Sequence, residues 1–207
     1  MKAFKISEAV VRRLPVYLRY LTHLQQMKVK TVSSQQMGET LDVNPAQIRK
    51  DLAAFGDFGK KGIGYDVDYL INKIRQILKL DREIPVVLVG AGNLGHAISN
   101  YNAYMHDNMR IVAIFDVDRR KHGKKIVGLP IQPMDALKQT IQEKEIRLAI
   151  ITVPASAAQT VAEQLIDAGI KGILNFAPIN IHTEKDVRID NADVTSSLQS
   201  LAYYIHE

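Results

Sequence analysis

Val86-Val87-Leu88-Val89-Gly90-Ala91-Gly92-Asn93-Leu94-Gly95-His96-Ala97-Ile98 is the stretch whose reading decides this fold. A short β-branched, apolar run reads as a buried strand. It passes directly into G-x-G-x-x-G and then into a helical segment, which is the context a dinucleotide-binding turn requires. In that turn Gly90 permits the sharp bend, Gly92 lets the backbone approach a pyrophosphate, and Gly95 allows helix and strand to pack closely. Ala91, Asn93 and Leu94 complete the loop, and a phosphate is expected at the helix N-terminus, where free amides and the helix dipole favour anions.

Further strands are expected at Ile111–Phe115, Leu148–Val153 and Gly172–Phe176, with another near Val187–Ile189, and helices between them, for example Ala157–Ala168. Strands alternating with helices imply a parallel sheet. Asp116 closes the second strand about 20 residues after Gly95, where an acid accepts the hydroxyls of an adenosine ribose. A carboxylate there repels a 2′-phosphate, so NAD(H) is favoured over NADP(H), and Arg119 and Arg120 nearby soften that preference. Thr152-Val153-Pro154 ends the third strand with little capacity for proton transfer. None of the six histidines stands at a strand end beside an acid, and a dehydrogenase needs such a relay. No catalytic residue and no metal ligand set is expected, and the absence of cysteine removes disulfides and thiolate sites together.

Upstream the pattern changes. Leu14, Tyr17, Leu18, Leu21 and Leu24 form a helical stripe, with Pro15 expected in the first turn. Ser33 and Gln36 suit a capping box at the start of a short second helix. Asn44-Pro45-Ala46-Gln47 opens a third, with Asn44 as N-cap and Gln47 closing a second box. Ile48, Leu52 and Phe55 face inward, and Gly56 ends that helix. Two short helices joined by a tight turn form a helix-turn-helix. The glycine- and lysine-rich run Asp57–Tyr65 reads as a β-hairpin, hence a wing, and Val67, Leu70, Ile71, Ile74 and Leu78 mark a fourth helix. On the third helix Gln47, Arg49 and Lys50 turn away from the core, toward a major groove whose bases arginine and glutamine can read. Ser33 and Ser34 are placed to meet a phosphate, and Lys60 and Lys61 to track the backbone or minor groove.

Charge is distributed accordingly. Residues 1–82 carry 15 Lys and Arg against 8 Asp and Glu, a net +7, while residues 83–207 carry −2. A basic first part beside a slightly acidic second part suits one domain that faces a polyanion. The expected organisation is a winged-helix DNA-binding domain over 1–82, a Rossmann-like NAD(H)-binding domain over 83–192, and a C-terminal helix over 193–207, an α/β chain overall. In that last segment Leu198, Leu201, Ala202 and Ile205 make an apolar stripe that must be buried on its own domain or on a second subunit. No apolar run approaches the roughly 18 residues of a membrane span. Met1–Glu8 lacks the apolar core of a signal peptide, so a cytoplasmic protein is expected.

Three stretches are more specific than the glycine motif: Gln47-Ile48-Arg49-Lys50-Asp51-Leu52, Phe58-Gly59-Lys60-Lys61-Gly62-Ile63-Gly64-Tyr65, and Gly169-Ile170-Lys171-Gly172-Ile173-Leu174-Asn175-Phe176-Ala177-Pro178. With these the chain closely resembles Rex, the bacterial redox-sensing transcriptional repressor family, over nearly its whole length. The resemblance implies a homodimer that binds an inverted-repeat operator and exchanges its C-terminal helix between subunits. It implies release of DNA when NADH closes the dimer, with NAD+ competing for the site without the same release. It also implies coupling roles for Arg19 and Asp193 and a place near the nicotinamide for Tyr101. Val194 departs from relatives that carry a phenylalanine there. Taken without the resemblance, the residues leave open a small NAD-dependent dehydrogenase, a module for another nucleotide such as coenzyme A, and a constitutive DNA-binding protein with a structural nucleotide.

Overall fold

The computed structural model describes residues 6–56, 59–60, 64–104 and 108–205. The chain divides into two compact units, one ending at Arg82 and the other beginning at Glu83.

The first unit is helical with a small antiparallel sheet. Helix α1 spans Glu8–Gln26, α2 Ser34–Leu41, α3 Pro45–Ala53 and α4 Val67–Ile77; the strands are β1 Thr31–Val32, β2 Gly59–Lys60 and β3 Gly64–Asp66, in the order β1-β3-β2. Helix α1 starts earlier than its leucine stripe implies. Ser7 caps it, accepting a hydrogen bond from the Val10 N–H, so Pro15 lies inside the helix rather than in its first turn. The first turn, Glu8-Ala9-Val10-Val11, offers only Val10 to the core, and a leucine spacing that begins at Leu14 therefore places the start too late. Pro15 removes the N–H that would reach the Val11 carbonyl, on an exposed face where water can meet that oxygen. The capping box at α2 forms in full between Ser33 and Gln36. At α3, Asn44 caps through the Ala46 N–H, but Gln47 does not reach back; its amide instead donates to Asp51. Leu14, Tyr17, Leu21, Met37, Ile48, Leu52, Leu70, Ile71 and Ile74 are buried together as the core of this unit.

The second unit is a seven-stranded sheet in the order β10-β9-β8-β4-β5-β7-β6. Its strands are β4 Ile84–Val89, β5 Met109–Phe115, β6 Lys125–Ile126, β7 Leu129–Gln132, β8 Leu148–Ile151, β9 Gly172–Asn175 and β10 Arg188–Asn191. All neighbours pair in parallel except β6 and β7. The helices are α5 Asn93–Tyr104, α6 Leu137–Glu143, α7 Ala155–Ala168 and α8 Val194–Tyr204. Two separate apolar clusters, one around Val87, Phe115, Ile151 and Leu165 and one around Leu88, Ile114 and Ile131, pack the sheet. From β4 the chain winds outward through β5 and β7, then returns to β8 on the other side of β4. That reversal opens a crevice at the carboxyl ends of β4 and β8, where doubly wound sheets bind ligands.

The hairpin of β6 and β7 goes unread in the sequence because its two-residue turn is Val127-Gly128. Both residues have positive φ, 49° and 79°, as a type I′ turn requires, but that turn ordinarily carries Asn-Gly. A β-branched side chain in the left-handed region is strained. Val127→Asn is therefore expected to stabilise the protein by about 1 kcal/mol, read as a higher denaturant midpoint at unchanged slope. An unchanged midpoint would show that the half-exposed Val127 side chain recovers the strain through packing.

Candidate nucleotide and nucleic-acid sites

The crevice is built around the glycine loop. Gly90 leaves β4 with φ +108°, and a Cβ there would lie 2.6 Å from the Thr152 carbonyl oxygen. The Thr152 hydroxyl donates to the Gly90 carbonyl at 2.7 Å, so the end of β8 is fastened to the loop. A Cβ on Gly95 would lie 2.0 Å from the same Gly90 oxygen, whereas one on Gly92 would meet nothing within 4 Å. Two glycines are thus demanded by the protein's own backbone, and Gly92 faces open space. This is the arrangement a pyrophosphate needs: a backbone with room above it, at the start of α5. Asn93 and Leu94 open that helix, and Leu94 is exposed. Thr152, Val153 and Pro154 line the neighbouring strand end, with Pro154 preceding α7. Tyr101 lies further along α5 and is 65% exposed.

Asp116 is buried directly after β5. Its Oδ2 accepts the Ala91 N–H at 2.7 Å and the Lys121 ammonium at 2.7 Å, and its Oδ1 accepts the Asp118 N–H at 2.8 Å. Burial alone would push this carboxyl up; the Lys121 hydrogen bond and the two amides outweigh it and hold the group below the usual carboxylate range. Asp116 is therefore an anion at neutral pH, tied to the glycine loop. Arg120 is engaged elsewhere, gripping Asp118 through Nε and Nη2. Lys121, which the sequence pattern did not single out, is the cation on Asp116.

Asn175 is another residue the pattern passed over. It is fully buried at the end of β9; its amide donates to the carbonyls of Ala177 and Ile179 and to the Asn191 side chain, while its oxygen accepts the Ala177 N–H. One side chain thus holds the loop after β9 and ties it to β10. The only sequence signal was its place within a family-specific stretch.

In the first unit α3 lies across α1 through a buried charge. Asp51 is 1% exposed. It accepts two hydrogen bonds from Arg13, at 2.6 and 2.8 Å, one from the Tyr17 hydroxyl at 2.8 Å and one from Gln47 at 2.7 Å. Burial raises the Asp51 pKa, but Arg13, Tyr17 and Gln47 together bring it below the ordinary value. Burial and the adjacent carboxylate push the Tyr17 phenol well up. Of the residues expected to face DNA, Arg49 and Lys50 are exposed on α3, and Arg49 donates to the Ser34 hydroxyl at 3.0 Å. Ser33 spends its amide and its hydroxyl oxygen on the α2 cap. Gln47 is half-buried against Asp51. The Lys60 backbone pairs with Gly64 in the hairpin, and Lys61 lies outside the described residues. Arg19 is exposed on α1. Asp193 caps α8 by accepting the Ser196 N–H, and the Ser196 hydroxyl and amide lower its pKa.

Comparison with known proteins gives the family. Residues 5–53 match the model of a putative DNA-binding protein N-terminus, and residues 81–179 match that of a CoA binding domain. A redox-sensing transcriptional repressor Rex from Brevibacillus brevis is 75% identical over 201 residues, covering 97% of each chain. The chain belongs to the Rex family. Solved structures of RSP, a Rex-family repressor, superpose over nearly the whole molecule. RSP in complex with β-NAD+ and operator DNA is 38% identical with a TM-score of 0.89, covering 97% of this chain and 92% of that one. RSP in complex with β-NADH is 37% identical with a TM-score of 0.87, covering 97% and 94%. The Rex family is one of regulators rather than enzymes, so the glycine loop serves a sensor and needs no proton relay beside it. Among the described residues no helix is long and apolar enough to cross a membrane.

Proposed function

We propose that this protein is a cytoplasmic repressor that binds an inverted-repeat operator as a homodimer and releases it when NADH occupies the crevice between β4 and β8. The observation that carries the reading is the pairing, in one chain, of a glycine loop with an anionic Asp116 and a helix-turn-helix whose second helix, α3, presents Arg49 and Lys50. RSP supports it, having been captured with both forms of the dinucleotide and with operator DNA. The pyrophosphate rests on the amides at the start of α5, and Asp116 takes the adenosine ribose. The Thr152–Pro154 strand end and Tyr101 border the nicotinamide. On DNA, Arg49 and Lys50 enter the major groove, Ser33, Ser34 and Gln47 lie at its edge, and Lys60 and Lys61 follow the backbone. The coenzyme A reading is disfavoured because an anionic Asp116 repels the 3′-phosphate carried on that ribose.

The switch rests on the dimer. Two heads read half-sites about 34–36 Å apart or a multiple of it, so turning one head against the other breaks register. NADH drives that movement only by binding the released form more tightly than the bound form. Arg19 and Asp193 transmit it. Helix α8 supplies the subunit contact: Val194, Leu198, Leu201 and Ile205 are 60–75% exposed in the single chain, and an apolar stripe of that kind is buried by a partner. Leu201→Asp is expected to yield monomers in sedimentation and to weaken operator binding at least about a hundredfold, since one head holds half the site. A dimer of unchanged affinity would remove α8 from the interface.

The deciding experiment is fluorescence anisotropy on a labelled inverted-repeat operator, titrated with NADH and then with NAD+. Release by NADH and retention with NAD+ is expected. DNA binding indifferent to either nucleotide would refute the redox switch, and absence of DNA binding would refute the repressor.

A further inference from the structure

We propose that Lys121 is the second reader of the adenosine ribose and sets how strongly the site discriminates against a 2′-phosphate. The inference rests on the nucleotide reading above and deepens it.

The Asp116 carboxylate offers about four lone-pair positions. Three are filled among the described residues, by the Ala91 N–H, the Asp118 N–H and the Lys121 ammonium. One position remains, on Oδ1. A ribose diol brings two hydroxyls, so Asp116 in this arrangement accepts one of them and leaves the other without its acid. Lys121 completes the match. An ammonium has three donors, one is spent on Oδ2, and the side chain is 32% exposed while the carboxylate is 7% exposed. Its two remaining donors are left for a hydroxyl oxygen that arrives at the same carboxylate. The ribose is thus read by an acceptor, Asp116 Oδ1, and by a donor whose Nζ is held 2.7 Å from the other oxygen of the same carboxylate.

Two neighbouring cationic candidates are engaged away from the carboxylate. Arg120 is 88% exposed and gripped by Asp118. The His122 Nε2 lies 2.8 Å from the Asp116 backbone carbonyl, not from the carboxylate. The 3-10 turn Arg119–Lys121, capped by Asp118, fixes the register that brings Lys121 to Asp116. A 2′-phosphate approaching Asp116 alone meets an unscreened anion. With Lys121 present it meets an ion pair whose cation can turn to the phosphate, so the dinucleotide phosphate is disfavoured less than a solitary aspartate would dictate.

The test is calorimetry of the full chain with NADH and with NADPH at one ionic strength, for the wild type, Lys121→Met, Lys121→Gln and Lys121→Arg. Lys121→Met is expected to weaken NADH binding about threefold and NADPH binding at least about thirtyfold, widening the ratio of the two by tenfold or more. Lys121→Arg is expected to return the ratio to within about threefold of wild type. Lys121→Gln keeps a donor without the charge, so it is expected to spare NADH and weaken NADPH, and it carries the test if the methionine variant does not fold. A ratio unchanged within about twofold in the folded variants, or narrowed, overturns the proposal and leaves Lys121 as a structural partner of Asp116. A wild type that binds neither dinucleotide overturns the nucleotide reading itself, which is a different result.

Discussion

Gly95→Ala is expected to abolish dinucleotide binding and to destabilise the second unit by at least about 3 kcal/mol. The methyl group would stand 2.0 Å from the Gly90 carbonyl oxygen, 3.1 Å from its carbon and 3.2 Å from the Thr152 hydroxyl. A flexible side chain would give way, but this oxygen belongs to backbone held on several sides. The Gly90 N–H donates to the Phe115 carbonyl at 2.8 Å, its oxygen accepts from Thr152, and its Cα faces the Thr152 carbonyl. Relief therefore requires α5 to lift from β4, carrying with it the amides proposed to hold the pyrophosphate. Calorimetry with NADH and thermal melting read the two effects. A variant that binds NADH within about threefold of wild type would mean that the loop relaxes without moving α5. Operator binding without nucleotide should persist below the melting temperature of the variant, where the second unit stays folded and α8 keeps the dimer.

Arg13→Ala is expected to cost the first unit about 3 kcal/mol, the lower end for breaking a buried ion pair because Arg13 itself is 29% exposed. The loss comes less from the pair than from what remains. Asp51, on α3, stays buried against α1 with Tyr17 and Gln47 as neutral partners and no counter-charge. For a unit of this size the change corresponds to roughly 15 °C in melting temperature. A pH signature accompanies it. Asp51 has its pKa lowered on folding, so its protons are bound more readily by the unfolded chain, and stability rises with pH through that window. The contribution is complete above the usual carboxylate range and is lost as pH falls through the lowered value. In Arg13→Ala that acid-side dependence should shrink or reverse, because burial without the guanidinium raises the carboxyl. Melting between pH 3 and 7 checks it; an identical acid profile in both proteins would show that Arg13 does not set the charge of Asp51. Operator affinity should fall as well, since Asp51 is what seats α3 on α1.

What was legible in the sequence was periodic or local. The glycine spacing after an apolar run, the capping box of Ser33 and Gln36, the Asn44 cap and the leucine stripe of α1 are patterns that a few adjacent residues impose by their own backbone preferences. So is the apolar stripe of α8, although its partner is not. The start of α1 at Glu8 and the turn at Val127 were missed because the leucine spacing begins only at Leu14 and a strained valine carries no turn signal.

Contacts between residues distant in the chain were legible only in the tertiary structure. Asp51 drew no reading of its own from the pattern of α3, yet α1 brings Arg13 and Tyr17 to it across 38 and 34 residues. Gln47 read as a capping residue and a base reader, yet the nearer carboxylate of Asp51 claims its amide. Arg119 and Arg120 looked like the modifiers of the ribose acid, but the short turn after β5 directs Arg120 to Asp118 and Lys121 to Asp116. The sequence by itself determined that a glycine loop follows a strand and that a basic helix follows a turn, because backbone geometry depends on near neighbours. Which cation meets which anion was decided only by the packed chain, because burial selects one partner from several that spacing alone permits.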